Sequence, residues 1–517
     1  MATLNWIGKE AVANHDKEVP FKLLEKVPAA SVGKESKNLI IHGDNLEALK
    51  ALMPFYKGKV KCIYIDPPYN TGNEGWVYND KVNSPKIREW LKKVVGGEGE
   101  DLTRHDKWLC MMYPRLKLLR DLLTDDGAIF VSIDDNEHSH LREIMEEIFG
   151  EQNFVATFIW EKRTTRENRR VFSFNHDFIV CYAKNRPAFE LTRGDLPLTE
   201  EVHERYSNPD NDPRGPWQSV SLNAQAGHGT ASQFYSILTP SGRSLEAPRG
   251  RCWSVTKPRL EELIADGRVW FGANGNNVPR LKKFLNESTR GLTPHTLWSA
   301  KEVGTTDLAT KQVQELLGGT EKFETPKPVQ LIERIIQIAS FKDSIILDSF
   351  AGSGTTGHAV LDLNKTDGGK RQFIMVEMEE RVAEKVTAER VKRAIKKNEY
   401  NDGFEYCELR KPLFDASGMI NEECTYEELA AYIYFTETQM NIDKKKVNKP
   451  FIGTGTDRDF YLIYTGKGKN DLTRAVLAKM RIQGKAVVYA DRCMVDEQEL
   501  ADSGITFKQI PYEIILY

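Results

Sequence analysis

The sequence predicts an α/β protein in which a doubly wound parallel sheet is interrupted by one large insert and followed by a small α/β tail. Three observations predict it: short apolar runs that end on a carboxylate, helical-spacing stretches directly behind them, and a long polar region where that alternation stops. In order, "NLIIHG" reads as a strand ending at Asp44, and "NLEALKALMPFY" behind it puts Leu46, Leu49, Leu52 and Met53 on one helical face. "KCIYI" is a buried-type strand leading into Asp66, and "HDKWLCMMYPRLKLLRDLLTDDG" is a helix with a candidate kink at Pro114. "GAIFVSI" is the next strand, with "DDNEHSHLREIMEEIF" as its helix.

The alternation dissolves after about Lys184 and resumes with "KPVQLIERIIQIAS", a helix. Then follow the strand "SIILDSF", the helix "GTTGHAVLDLN", the strand "QFIMVEME" and the helix "ERVAEKVTAERVKRAIKK". The expected division is therefore 1–184 and 322–400 as two halves of one sheet domain, 185–321 as an inserted domain and 401–517 as the tail. The tail contributes the apolar helix "YEELAAYIYFTET" and the strand-like runs "FYLIYTG" and "KAVVYAD".

At 517 residues the chain exceeds what one core organises, so several domains are expected. Apolar residues at 40% and charged residues at 28% exclude a disordered chain. The sequence has neither a bilayer-length apolar run nor the basic-then-apolar start of a signal peptide, so a cytoplasmic location without membrane contact is expected. The seven cysteines are scattered without a C-x-x-C pair, which argues against a zinc site or disulfide frame. With a net charge of −3, a polyanionic partner would need a local basic surface.

Two constellations carry chemistry. "YIDPPYNTG", Tyr64 to Gly72, places an acid, a rigid Pro-Pro turn and an aromatic ring at the mouth of a strand. Asp66 can accept one N–H of an amino group and the Pro67 carbonyl a second, with Pro68 stiffening the turn and Tyr69 stacking on a planar base. Two acceptors on an aromatic amine favour pyramidalisation and support the positive charge that develops as nitrogen attacks an electrophilic carbon, such as a sulfonium methyl.

"LDSFAGSGTTG" ends a strand at Asp348 and turns through Gly352 and Gly354 into a helix near Thr355, a geometry that lets backbone approach a nucleotide-like ligand. Glu377, at the tip of the next strand, is spaced as an acceptor for ribose hydroxyls. A Walker loop is absent from the sequence.

These residues resemble the amino-group DNA methyltransferases that use S-adenosylmethionine. The resemblance makes Asp66-Pro67-Pro68-Tyr69 catalytic, and Phe350, Gly352 and Gly354 of F-x-G-x-G, together with Asp348 and Thr355 around them, cofactor-binding. Catalytic motif first, then insert, then cofactor motif, is the β-class order. "ETPKPVQL" resembles the segment flanking the methionine part of the cofactor, which nominates Lys327 for its carboxylate, and Asp44 resembles the acid near its adenine. "NWIGKEAV", "DPPYNTG", "SIDDNE", "FTET" and "VYADRCMVDEQEL" resemble the modification subunit of Type III restriction-modification systems. That branch implies adenine-N6 methylation of duplex DNA, a homodimer, and a separate helicase-nuclease subunit supplying ATP-driven cleavage.

A base inside a duplex must be flipped out to be methylated, so the DNA contacts are expected in or near the insert. Candidates are Arg163, Arg166, Arg169, Arg170, Arg280, Lys282 and Lys283, with Arg249 and Arg251 beside them, although basic clusters are commonly solvated surface. His138 and His140 read as polar surface at a helix start, and Asp134 and Asp135 as helix-start acids. The alternatives are cytosine-N4 methylation, for which the family tends to carry Ser instead of Asp at position 66, a sequence-reading subunit with little methylation of its own, and an RNA or protein amine methyltransferase. Cytosine-C5 chemistry is excluded because the chain has no Pro-Cys dipeptide.

Overall fold

A computed structural model describes residues 4–33, 36–71, 101–167, 171–287, 291–319, 323–415, 417–443, 445–466 and 470–511. Gly72, Arg169 and Arg170 lie outside the described residues. The chain forms two compact units, one of Met1–Gly194 with His295–Tyr517 and one of Asp195–Pro294.

The larger unit is built on a ten-stranded sheet. Its order is Lys22–Lys26, Glu405–Pro412, Leu39–His42, Gln372–Glu377, Ile345–Asp348, Val60–Ile65, Leu123–Ile133, His176–Ala183, Phe154–Glu161, Leu297–Trp298. From Glu405–Pro412 to Leu123–Ile133 every neighbouring pair is parallel. These strands are the apolar runs of the sequence, and Val60–Ile65 is buried at every position, as a strand covered on both faces must be.

The sheet is mixed where the sequence predicts it to be parallel throughout. His176–Ala183 runs antiparallel to both its neighbours, and Lys22–Lys26 closes the other edge antiparallel. Moving outward from the centre, the chain visits Val60–Ile65 then Leu123–Ile133 on one side, and Ile345–Asp348 then Gln372–Glu377 on the other. The winding therefore reverses between Ile345–Asp348 and Val60–Ile65, the position where such sheets open a crevice at their carboxyl edge.

The sequence-drawn boundaries shift in a consistent way. Arg186–Thr192 forms a helix capped by Asn185 (Oδ1 to Ala188 N, 3.2 Å), and Leu297–Trp298 pairs with Ile159–Trp160 while Trp298 stacks on Phe158 at 4.4 Å. Both ends of the 185–321 stretch thus rejoin the sheet unit, and only Asp195–Pro294 is compact by itself. Its core gathers Leu222, Ile237, Trp253, Leu260 and Phe271, beside a three-stranded antiparallel sheet of Val269–Trp270, Arg280–Phe284 and Trp217–Ser221.

Glu405–Pro412 likewise belongs to the main sheet, so the tail's separate layer starts later than residue 401. That layer has four strands, Phe451–Thr454, Asp459–Leu462, Ala486–Ala490 and Ile505–Gln509, and the helix Tyr426–Thr438 buries Leu429, Tyr432 and Ile433 in the same core as Phe460 and Tyr489. Among the described residues no helix is long and apolar enough to cross a membrane.

Candidate active site

Leu347 pairs with Ile63 in adjacent parallel strands, so the DPPY turn and the glycine turn leave the sheet side by side although about 280 residues separate them. Asp66 follows Ile65 directly. One of its oxygens, Oδ2, lies 2.5 Å from the Lys327 ammonium, which is itself buried and stands 5.1 Å from the centre of the Tyr69 ring. The other, Oδ1, is buried and accepts no hydrogen bond among the described residues. Burial pushes the Asp66 carboxyl above its ordinary range, and Lys327 opposes that shift. The site therefore holds a buried acceptor oxygen whose lone pairs no protein donor among the described residues uses.

The rest of the turn is fastened from a distance. Trp108 Nε1 donates to the Pro68 carbonyl at 2.7 Å. Asn70, in the left-handed region at φ 55°, donates through Nδ2 to the Arg104 carbonyl at 3.2 Å and to Glu137 Oε1. Glu137 is fully buried, and its two oxygens pair with His105 Nδ1 at 2.6 Å and His140 Nδ1 at 2.9 Å. The ligand atoms of these three residues lie within 4.8 Å of one another. Each imidazole engages a different oxygen of the carboxylate, so the trio forms a hydrogen-bonded clamp on Asn70.

His140 is accordingly no mere surface residue, and its hydrogen bond to Glu137 raises its pKa. His138 also packs inward, its ring 4.3 Å from that of Phe178. Tyr69 points its hydroxyl at Asp177 Oδ2, 3.5 Å away, while Lys162 holds Asp177 Oδ1 at 2.6 Å. Burial, with Asp66 and Asp177 adding to it, pushes the Tyr69 phenol well up, so the ring stays neutral.

The glycine turn is tied to nearby residues instead. Asp348 is buried, accepting from Phe350 N at 3.0 Å and Thr356 Oγ1 at 2.5 Å; burial raises its carboxyl to about 7. Its carboxylate thus shapes the turn. Glu377 accepts from Gly352 N at 2.8 Å and Glu379 N at 3.0 Å. Gly352 has φ +47°, and a Cβ there would come within 2.8 Å of the Phe323 ring; Gly354, at φ +74°, opens the helix Thr355–Asp367 and would strike the Thr387 carbonyl. Thr387 Oγ1 donates to the Gly352 carbonyl at 2.6 Å from a π-helical segment, Ala383–Ala388. Phe350 is buried in the main core, and the Thr355 hydroxyl donates to the Lys327 carbonyl at 3.1 Å, so both position neighbours.

Asp44 caps the helix Asn45–Tyr56 through Leu46 N and Glu47 N and lies 3.3 Å from Arg115. Arg115, fully buried, also donates to Asn45 Oδ1, and Asn45 Nδ2 donates to the Ser349 carbonyl at 3.1 Å. This chain of bonds joins the first strand-helix unit to the glycine turn.

The family of N6/N4 DNA methylases matches residues 60–389, from the strand before Asp66 to beyond Glu377. The chain belongs to this DNA methylase family. Among curated relatives, the Mod subunit of the Type III restriction-modification enzyme StyLTI of Salmonella typhimurium is 35% identical over 425 residues, covering 79% of this chain and 62% of the relative. The EcoPI Mod subunit of Escherichia phage P1 is 33% identical, covering 73% and 64%, and the EcoP15I Mod subunit of Escherichia coli is 30% identical, covering 79% and 71%. The chain thus spans somewhat under two thirds of the first two relatives.

The basic candidates divide. Lys282 is a correction: its ammonium is buried, 2.9 Å from Asp212 and also paired with Asp210, over the Trp217 ring, so it cannot reach a phosphate. Arg280 is occupied by Ser219, through its hydroxyl at 3.0 Å and its carbonyl at 3.1 Å. Arg163 faces Glu167 at 3.6 Å, while Arg166 and Lys283 are exposed.

Sequence reasoning missed Asn45, Asn70, Trp108, Arg115, Glu137, Lys162 and Asp177. Asn70 and Glu137 stand inside quoted motifs, a signal that could have nominated them. The others carry no local signature.

Proposed function

We propose that this chain transfers a methyl group from S-adenosylmethionine to adenine N6 in duplex DNA, as the modification and recognition subunit of a Type III restriction-modification system. The observation that carries the reading is the buried, open Oδ1 of Asp66 beside a glycine turn on the neighbouring strand.

The residues fit the cofactor. Gly352 and Gly354 hold the positive-φ turn that leads into the helix Thr355–Asp367, Glu377 stands at the tip of the adjacent strand for the ribose, Asp44 is at the neighbouring tip, and Lys327 offers the buried cation for a carboxylate. S-adenosylmethionine supplies, when bound, an electrophilic methyl on a sulfonium.

The chain's own residues do the rest. Asp66 Oδ1 and the Pro67 carbonyl accept the two amine hydrogens, Tyr69 stacks on the flipped base, and the excess proton leaves to water after transfer. Lys327 serves both motifs: its ammonium opposes the upward shift that burial imposes on the Asp66 carboxyl, and the same charge is available to the cofactor's carboxylate. Asp66, the acidic choice at this position, favours adenine over cytosine N4. Flipping costs a few kcal/mol, which contacts to the flanking duplex offset. A homodimer and a helicase-nuclease partner in trans complete the reading by similarity to the Mod subunits.

The test is modified-base sequencing of DNA from a methylation-free bacterial host expressing this chain or Asp66→Ala. N6-methyladenine at one short motif, lost in the variant, is the expected result. Unmodified DNA in both cultures, from folded protein that binds S-adenosylmethionine, would overturn it.

A further inference from the structure

Resting on that reading, we propose that Val171, Phe172 and Phe174 form an apolar wedge that enters the base stack of the DNA and fills the space left by the flipped adenine. The three are 93%, 75% and 47% exposed. Two phenylalanines and a valine turned to water within four residues are unusual on a surface without an apolar partner to meet.

The place of these side chains names the partner. They belong to the connection between Phe154–Glu161 and His176–Ala183. Ile65 pairs with Val131 in parallel strands, and Ile133 pairs with Phe178 in antiparallel ones, so the start of His176–Ala183 lies at the same carboxyl edge of the sheet as Asp66. The connection is also joined to the catalytic turn. Lys162, at its foot, holds Asp177, and Asp177 receives the Tyr69 hydroxyl. Any duplex that delivers an adenine to Asp66 passes this edge.

The described residues of this connection are tied to one another. Asn175 Nδ2 donates to the carbonyls of Arg163 at 3.0 Å and Thr165 at 3.1 Å, Lys162 N donates to the Asn175 carbonyl at 2.9 Å, and Ser173 Oγ accepts from Glu167 N at 3.0 Å while donating to Asn175 Oδ1. Ser173 is turned inward, while Val171 and Phe172 before it and Phe174 after it are left exposed. Exposed Arg166 stands on the same connection, with the charge a phosphate backbone calls for. Apolar side chains inserted between base steps are an established way to unstack a duplex.

The experiment uses the methylated motif found by sequencing. Single-turnover methylation is measured for the full chain and for the triple variant Val171→Ser, Phe172→Ser, Phe174→Ser, on a duplex with the target adenine paired and on one with it opposite an abasic site. The expected result is a loss of roughly thirtyfold or more on the paired duplex that shrinks to within about threefold on the abasic one, where unpairing is already done. Each single variant should show a smaller loss with the same rescue. S-adenosylmethionine affinity and Tm should stay at the parent values.

Unchanged activity on the paired duplex would overturn the wedge, and so would an equal loss on both duplexes. A variant that changes sedimentation behaviour without a duplex-dependent loss would assign the apolar residues to an interface between copies. An unmodified duplex with the parent chain would instead overturn the methylase reading itself, and the wedge with it.

Discussion

The two turns at the reversal point of the sheet are built differently. The glycine turn closes on its own neighbourhood: Asp348 holds Phe350 N and Thr356, Glu377 holds Gly352 N, and Thr387 holds the Gly352 carbonyl. The DPPY turn is fastened by residues from across the sequence: Trp108 on Pro68, Glu137 on Asn70, Asp177 on Tyr69 and Lys327 on Asp66. On the proposed function, the turn that lets backbone approach a ligand is stiffened locally, whereas the one that aims an acceptor at a reacting atom is triangulated from several elements.

The comparison predicts which damage is chemical and which is a loss of binding. Asp66→Ala removes the open acceptor and is expected to lower single-turnover methylation by ~10³-fold or more, leaving S-adenosylmethionine affinity within a few-fold. A comparable loss of cofactor affinity by calorimetry would erase the distinction between the turns.

Gly352→Ala should do the converse. A left-handed backbone costs an L side chain roughly 1–2 kcal/mol, about five- to thirtyfold in Kd, and the Phe323 ring adds a clash. Methylation at saturating cofactor should stay near the parent's; a fall in that rate as large as the fall in affinity would sink the assignment.

Glu137→Gln keeps the shape of the clamp but removes the charge that holds His105, His140 and Asn70. Methylation is expected to fall by about ten- to a hundredfold, the usual penalty for loosening a supporting group. Cofactor affinity should not move. An unchanged rate would mean that Asn70 does not orient the turn.

Lys327→Met tests the one residue both turns share. Asp66 must be ionised to accept the amine, burial raises its pKa, and Lys327 lowers it again. Without the ammonium the acid limb of the pH–rate profile should move to higher pH, together with weaker cofactor binding. An acid limb that stays in place would detach Lys327 from Asp66.

The smallest effect concerns Asp348, whose folded-state value of about 7 lies above the ordinary 3.8. Its contribution to stability is complete below 3.8 and is lost as pH rises through about 7. Asp348→Asn should therefore gain in Tm relative to the parent between pH 5 and 8.5. A constant Tm difference across that range would show that the carboxyl titrates normally.

Legibility followed the same divide. Gly352, Gly354 and Glu377 stand out in the sequence because the fold constrains them by local spacing, and Asp66 and Tyr69 because the turn's composition is unusual. Lys282 was misread because a lysine in a basic cluster looks the same whether it faces water or sits between Asp210 and Asp212. The insert was drawn too long because a two-residue strand such as Leu297–Trp298 has no period of its own.

The sequence by itself determined the alternation of strands and helices, the residue composition of the two turns and the family to which the chain belongs. These depend on periodicity and residue type, which act over a few neighbours. Tertiary structure alone decided which strands lie side by side, that Lys327 pairs with Asp66, that Glu137 holds Asn70, and that Phe172 and Phe174 are left facing water. Pairing and burial are set by residues tens to hundreds of positions apart, and no local pattern encodes which of them will meet.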